Sequence, residues 1–416
     1  MIQFETFTLD NGLRCLFHHD PTTPMVAMNV LYDVGARDEH PDKTGFAHLF
    51  EHLMFGGSVN IPRYDEPLQR AGGDNNAFTN SDITNYYLTI PRENIETAFW
   101  LESDRMLDLA FSEKSLEIQR QVVVEEFKQN YLNQPYGDVW LLLKPLAYSN
   151  HPYQWNTIGK EIAHIEKARL EDVRDFYAKY YNPNNAILAI AGNLNLSEVK
   201  AFTEKWFGPI PSGPANLRKL PVEPIQVQAK KLHIKRHVPA SCIYKAWHMC
   251  GRNNENYYAT DLISDLLGAG ESSRLFKELV KKQQLFTEIS AFITGDIDPG
   301  LFVITGKLMP GVTLEEAEIA IDQQIQKLIM KGPSAEEVRK IKNRVVSGHA
   351  FASISVLGKA MNLAYNAHLG DPELINTLPQ HYRKVTIEKI GNIAAELFNP
   401  NNSSTLYYSK DEAHAD

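Results

Sequence analysis

This chain carries one structural message twice, and that repeat constrains its fold more than any other feature. The strand-like run Met25-Val26-Ala27-Met28-Asn29-Val30-Leu31-Tyr32-Asp33-Val34-Gly35 has a counterpart in Ser241-Cys242-Ile243-Tyr244-Lys245-Ala246-Trp247-His248-Met249-Cys250-Gly251, and the closing glycines stand 216 residues apart. Tyr181-Asn182-Pro183-Asn184-Asn185 returns as Phe398-Asn399-Pro400-Asn401-Asn402, with the prolines 217 residues apart and an apolar strand after each copy. Two anchors at nearly one offset imply duplicated domains of about 200 residues each. A length of 416 residues suits that division.

The joint is legible as well. Phe207-Gly208-Pro209-Ile210-Pro211-Ser212-Gly213-Pro214, followed by Pro221 and Pro224, cannot sustain a helix or a central strand. A linker is expected at 209–226, separating a first domain at 1–208 from a second at 227–416. Helices are expected around 95–109, 113–131 and 170–180, and again around 257–282, 313–330 and 335–350. The expected class is α+β, each domain a mostly antiparallel sheet with helices packed on one side.

The chemistry sits in Gly45-Phe46-Ala47-His48-Leu49-Phe50-Glu51-His52-Leu53-Met54-Phe55. On a helix, positions four apart share a face, so His48 and His52 offer two imidazoles to one metal ion, with Glu51 beside them. This is H-x-x-E-H, the reverse of the zincin order and a metallopeptidase motif. Two histidines and a glutamate at this spacing also arise by chance, and two imidazoles rarely hold catalytic zinc alone. A third ligand is needed. The helical run Ile118–Lys128 supplies Glu125-Glu126. An acidic pair on a helix is ordinarily a solvated face; with the upstream motif present, Glu126 is the candidate ligand. Shifted by 216, His48, Glu51 and His52 fall on Ser264, Leu267 and Gly268. The fold repeats and the metal residues do not.

Composition narrows the remaining choices. The chain is 43% hydrophobic and 22% charged, as soluble globular proteins are, and its net charge of −9 argues against a general nucleic-acid binder. The one basic cluster, Lys230–His237, alternates apolar and polar residues like a half-exposed strand. No apolar run reaches 18 residues, so no membrane span is expected. The opening Met1-Ile2-Gln3-Phe4-Glu5 lacks the basic and apolar regions of a signal peptide, and a cytoplasmic location is the expectation. Cys15, Cys242 and Cys250 are odd in number and far apart, forming neither a disulfide framework nor a zinc ribbon. Gly268-Ala269-Gly270 lacks the third glycine of a dinucleotide loop and is expected to be a turn.

Taken together, these segments resemble the pitrilysin-type zinc peptidases, in the branch of short two-domain subunits that includes the mitochondrial processing peptidase. The resemblance spans essentially the whole chain. It rests on Gly35 and Gly45, the H-x-x-E-H helix, Gly72–Thr79, Arg120–Glu126, His151-Pro152-Tyr153, Tyr180–Pro183 and Ser273-Arg274-Leu275. It implies a zinc endopeptidase acting on peptides or unfolded segments, with one Zn²⁺ per chain on His48, His52 and Glu126 and Glu51 as general base. It also implies that Asn76-Ala77-Phe78 lies on an edge strand against which an extended peptide pairs. Two positions depart from the family pattern. Gln119 stands where a further carboxylate is usual, seven residues before the Glu ligand, and is expected to orient the site by hydrogen bonding. In the second domain the substrate-holding Arg and Tyr are replaced by Val280 and Thr287. The expectation that follows is a two-chain clamshell, with this chain as the zinc-bearing subunit and a homologous partner carrying the missing Arg and Tyr. A homodimer is the other arrangement considered. The competing reading is a non-catalytic assembly or processing-complex subunit retaining the fold: an intact His48, Glu51, His52 and Glu126 argues against it, and the missing Arg and Tyr argue for it.

Overall fold

The computed structural model describes residues 1–411. The chain opens with β1 (Glu5–Thr8), β2 (Arg14–His19), β3 (Met25–Tyr32), α1 (Phe46–Leu53), α2 (Asp65–Arg70), β4 (Asp74–Thr79) and β5 (Thr84–Pro91). It continues through α3 (Ile95–Leu107), α4 (Glu113–Phe127), α5 (Val139–Ala147), α6 (Ile162–Glu166), α7 (Leu170–Tyr180), β6 (Ala186–Gly192) and α8 (Leu196–Phe207). Residues 209–226 form neither helix nor strand. Then come β7 (Lys230–Arg236), β8 (Cys242–His248), α9 (Tyr257–Gly268), β9 (Phe286–Ile293) and β10 (Leu301–Leu308). The last elements are α10 (Leu314–Lys331), α11 (Ala335–Ala352), α12 (Val356–His368), α13 (Leu374–Lys384), α14 (Ile387–Leu397) and β11 (Ser403–Lys410).

The duplication is exact in topology. One sheet is ordered β1-β2-β6-β3-β5-β4 and the other β7-β11-β8-β10-β9. With β1 set aside, the two orders correspond strand for strand. Each sheet has one parallel pair, β2 with β6 and β7 with β11, and is otherwise antiparallel. β4 and β9 hold the same outer edge.

The strands at the centre of each sheet are too apolar for a half-exposed sheet. All seven residues of β6 are buried, and seven of the eight in β3. Such strands need cover on both faces. On one face of the first sheet, Tyr32 and Tyr86 meet Phe55 and Tyr181 from the helical layer. On the other, Ala27, Leu31, Ile187 and Ala189 pack against Val356, Ala360, Leu363 and Ala364 of α12. The second sheet repeats this. Ile243, Trp247, Phe302 and Tyr407 pack with α9, α10 and α14, while Cys242, Ala246, Val303 and Leu406 meet Val139, Leu143 and Ala147 of α5.

Helices therefore cover one face of each sheet, as the pattern predicts, and one further helix closes the opposite face. That helix comes from the other copy. The first compact unit comprises Met1–Lys128, Trp155–Leu220 and His349–Thr377; the second comprises Gln129–Gln154, Pro221–Gly348 and the chain from Leu378 onward. α5 and α12 are counterparts in the repeat, starting at 139 and 356, and each sits on the other copy's sheet. The linear division at 209–226 does not contain this exchange, because an apolar helix reads the same whichever sheet it covers. Among the described helices none is long and apolar enough to cross a membrane. The three cysteines are free thiols, two buried and one half-buried.

Candidate metal centre

α1 is short and amphipathic. Phe46, Ala47, Leu49, Phe50 and Leu53 are buried, which turns His48, Glu51 and His52 to the opposite side. The helix starts at Gly45, held at φ +87°, where a Cβ would lie 2.7 Å from the Ile158 carbonyl oxygen. Only glycine suits both constraints.

The third member arrives on α4, capped by Ser112, which accepts from the Ser115 amide. Leu116, Val123, Val124 and Phe127 anchor the buried side. Glu125 is solvent-exposed and accepts from Lys128 Nζ at 2.7 Å, whereas Glu126 turns toward α1. The pairwise separations are 3.1 Å for His48 Nε2 to Glu126 Oε2, 3.3 Å for His48 Nε2 to His52 Nε2, and 3.4 Å for His52 Nε2 to Glu126 Oε2. Ligand bonds of about 2.0–2.1 Å in a tetrahedral zinc site place ligand atoms about 3.3 Å apart. The three edges match one face of that tetrahedron. Among the described residues, this is the one His/Cys/Asp/Glu group that converges for a metal.

Electrostatics bind the group together. Burial opposes a charged imidazole at His48, but the neighbouring Glu126 and Glu51 outweigh it and push its pKa up to about 9. Hydrogen bonds from His48 and His52 hold the Glu126 carboxyl far below the usual range. Glu51 lies 3.5 Å from His48 Nδ1. Burial would raise its pKa; hydrogen bonds from His48 and Thr79 reverse the direction and keep it lowered.

Thr79 connects this centre to the sheet. It is the last residue of β4, the outermost strand, which packs beside α1. Asn76, Ala77 and Phe78 lie on that strand: Asn76 Oδ1 accepts from the Ala77 amide at 2.8 Å, and Phe78 packs toward the α12 cluster. Gln119 is half-buried, two turns before Glu126 on the same side of α4. Sequence reading passed over Thr79, whose signal is only its place at the end of an edge strand.

It also missed Arg105, which is buried and pairs with Glu102 at 2.6 Å. The Arg105 guanidinium lies 4.4 Å from the Tyr86 ring and 4.6 Å from that of Tyr64, supporting the chain that follows α1. The available signal was an acid and a base three apart on a helix, which is ordinarily a solvated pair.

Among the described residues, the second unit has no such centre. At the shifted positions Ser264 is buried, Leu267 is core, and a Cβ on Gly268 would fall 1.8 Å from the Ala291 amide nitrogen. Val280 packs against the second core, and exposed Thr287 donates to the Lys307 carbonyl at 3.2 Å.

Comparison with known proteins agrees with this asymmetry. Residues 14–160 match the model described as insulinase (peptidase family M16), and residues 167–345 match the one described as the peptidase M16 inactive domain. Zinc protease PqqE of Helicobacter pylori is 30% identical over 344 residues, covering 81% of this chain and 77% of the relative. The chain belongs to peptidase family M16. A further relative, the uncharacterized zinc protease YmxG of Bacillus subtilis, is 26% identical over 94% of this chain and 95% of its own. The crystal structure of a protease from Helicobacter pylori superposes with a TM-score of 0.92 at 27% identity, covering 98% of this chain and all of that one. A peptidase M16 inactive domain from Pseudomonas fluorescens shares the fold, with a TM-score of 0.89 at 20% identity and 99% coverage of both chains. All four residues of the metal centre fall within the first matched region, and the M16 inactive-domain match contains Ser264, Leu267 and Gly268.

Proposed function

We propose that this M16 chain is a zinc-dependent endopeptidase that hydrolyses extended peptides or unfolded segments. His48, His52 and Glu126 would hold the metal. The observation that supports this most strongly is the triangle of 3.1, 3.3 and 3.4 Å between two imidazole nitrogens and a carboxylate oxygen. A nitrogen–nitrogen–oxygen donor set of this kind suits zinc. When bound, zinc supplies the Lewis acidity that polarises a peptide carbonyl and makes water nucleophilic near neutral pH. Glu51, beside His48 and Thr79, would take the proton from the attacking water and later give it to the departing amine. The free edge of β4, ending at Thr79, pairs with the backbone of an extended substrate and delivers it beside Glu51. Pairing of that kind reads backbone, so a folded protein offers it no free strand. The test is Glu51→Gln, which should keep one zinc per chain and lose turnover on a mixed peptide pool by at least a hundredfold. Retained turnover would reject the general-base role.

The partner belongs to the same proposal. A substrate-holding Arg and Tyr are replaced by Val280, packed into the second core, and by Thr287, whose hydroxyl is engaged by Lys307. The chain is proposed to act as a heterodimer with a homologous subunit that lacks H-x-x-E-H and carries that pair. Purified alone, as monomer or homodimer, it should be nearly inert on peptides, and addition of the partner should restore turnover. Full activity of the isolated chain, unchanged by Thr287→Tyr with Val280→Arg, would reject the heterodimer.

A further inference from the structure

We infer that Glu39 is a positioning residue for the metal centre, a buried carboxyl group that clamps the first turn of α1 and so sets His48. The inference rests on the peptidase reading above and concerns how the site is held. A helix leaves its first amides without intrahelical partners. α1 begins at Gly45, which has no side chain to accept from them. Glu39 supplies that acceptor from six residues upstream. Its Oε2 accepts from the Gly45 amide at 2.9 Å and its Oε1 from the Ala47 amide at 2.8 Å. The residue is only 6% exposed, so both bonds are shielded from competing water. Burial pushes the Glu39 carboxyl up to about 8, and the Ala47 and Gly45 amides oppose that rise without reversing it.

The surroundings are built for one seating of this turn. Thr44 Oγ1 accepts from the Lys160 amide at 2.8 Å and lies 2.9 Å from His164 Nδ1. Gly45 has no space for a side chain against Ile158 and Ile165. His48 follows Ala47 directly, so it is the first functional residue beyond the clamp. Each residue of a helix advances about 100° and 1.5 Å. If the first turn unwinds, His48 swings away before His52 does. Metal sites tolerate ligand displacements of only about 0.2 Å. Phe46 and Ala47 of this turn are buried, but the core between the sheet and α12 is built without them. Loss of Glu39 should therefore appear as weakened metal binding ahead of lost structure.

The experiment measures zinc dissociation constants by chelator competition and amide hydrogen exchange of the metal-free protein. It compares wild type, Glu39→Ala, Glu39→Gln and, as a destabilising control in the second core, Ile325→Val. Glu39→Ala should weaken zinc binding about 10–100-fold, the range for groups that orient ligands. Its exchange should accelerate selectively in the segment 44–54. Glu39→Gln should recover part of the affinity, because the amide oxygen still accepts one of the two bonds. Ile325→Val should lower the melting temperature and leave zinc affinity alone, which separates positioning from general stability. A Glu39→Ala dissociation constant within twofold of wild type overturns the inference whatever the exchange shows. If Glu39→Ala fails to fold, Glu39→Gln decides by the same criterion. A wild-type chain that binds no zinc overturns this inference together with the peptidase reading, whereas zinc held equally by wild type and variant overturns this one alone.

Discussion

α1 and α9 hold corresponding places in two sheets of the same strand order, yet one carries chemistry and the other carries packing. On α1 the polar side is left open: His48, Glu51 and His52 are partly exposed, and Glu126 reaches across from α4 to meet them. On α9 the corresponding side is closed onto the edge strand. Gly268 lets the helix touch Ala291, with no room for a single added carbon. A duplicated fold can therefore keep its topology while one copy exchanges a helix–strand contact for a metal centre. What separates the copies is how closely the helix approaches its edge strand.

The largest effect should come from breaking the open side. His48→Ala and Glu126→Ala should release zinc and eliminate peptidase activity. Glu125→Ala, one residue away but solvent-facing, should change neither. Metal content measured on purified protein checks this, and equal zinc in Glu126→Ala and wild type would move the ligand elsewhere. Removing zinc with a chelator should leave the circular dichroism spectrum intact, because each unit has its own large core and needs no metal to close it.

A second break targets what the copies share. Because α5 and α12 are traded, a chain cut within 209–226 yields two fragments that each lack the helix covering one sheet face. Each alone should aggregate or remain partly unfolded, exposing the apolar face. Co-refolded, the fragments should return a soluble complex that binds zinc. Two independently stable, soluble fragments would show that the exchanged helices matter less than their burial indicates.

Much of this was legible in the sequence, and the exceptions share a cause. The repeat offset placed corresponding strands correctly because β3, β6 and their copies are uninterrupted apolar runs with fixed punctuation. His48, Glu51 and His52 were legible because helical spacing is local. Glu126 needed a partner 78 residues away; the upstream motif and the resemblance singled it out from Glu125, and the two side chains do point to different sides. The helix exchange, the Arg105 cage and the Thr79 bond are long-range matters of which surface meets which, and the Glu39 bonds, though they span only six and eight residues, depend on how the loop before α1 folds back. A single sequence records the residues of such contacts and not their pairing.

The third break is a graft. Ser264→His, Leu267→Glu and Gly268→His would write the motif into α9, and it should fail as a metal site. The decisive obstacle is Gly268, where even Gly268→Ala should destabilise the second unit by about 3 kcal/mol through overpacking against Ala291. Denaturant unfolding measures this. A neutral Gly268→Ala would mean that α9 need approach its strand no more closely than α1 does, and the contrast between the copies would rest on side chains alone.

The smallest effect sharpens the contrast through pH. In the metal-free protein His48 is raised from 6.5 to about 9, with burial opposed and outweighed by Glu126 and Glu51. A group raised on folding contributes stability that is complete below its unfolded value and is lost as pH climbs through the folded one. The metal-free chain should therefore lose that contribution between pH 6.5 and 9. Zinc binds the neutral imidazole, so its affinity should move the opposite way, rising about tenfold per pH unit from 7 toward 9 and then levelling. The gap between zinc-loaded and metal-free melting temperatures should widen over the same window. His48→Asn should abolish the widening, and variants at Ser264 should leave it untouched, because that position on α9 has no proton to give up. A zinc affinity that stays flat from pH 7 to 9 would show that His48 is already neutral in the metal-free centre, and that the carboxylates beside it do less than their distances imply.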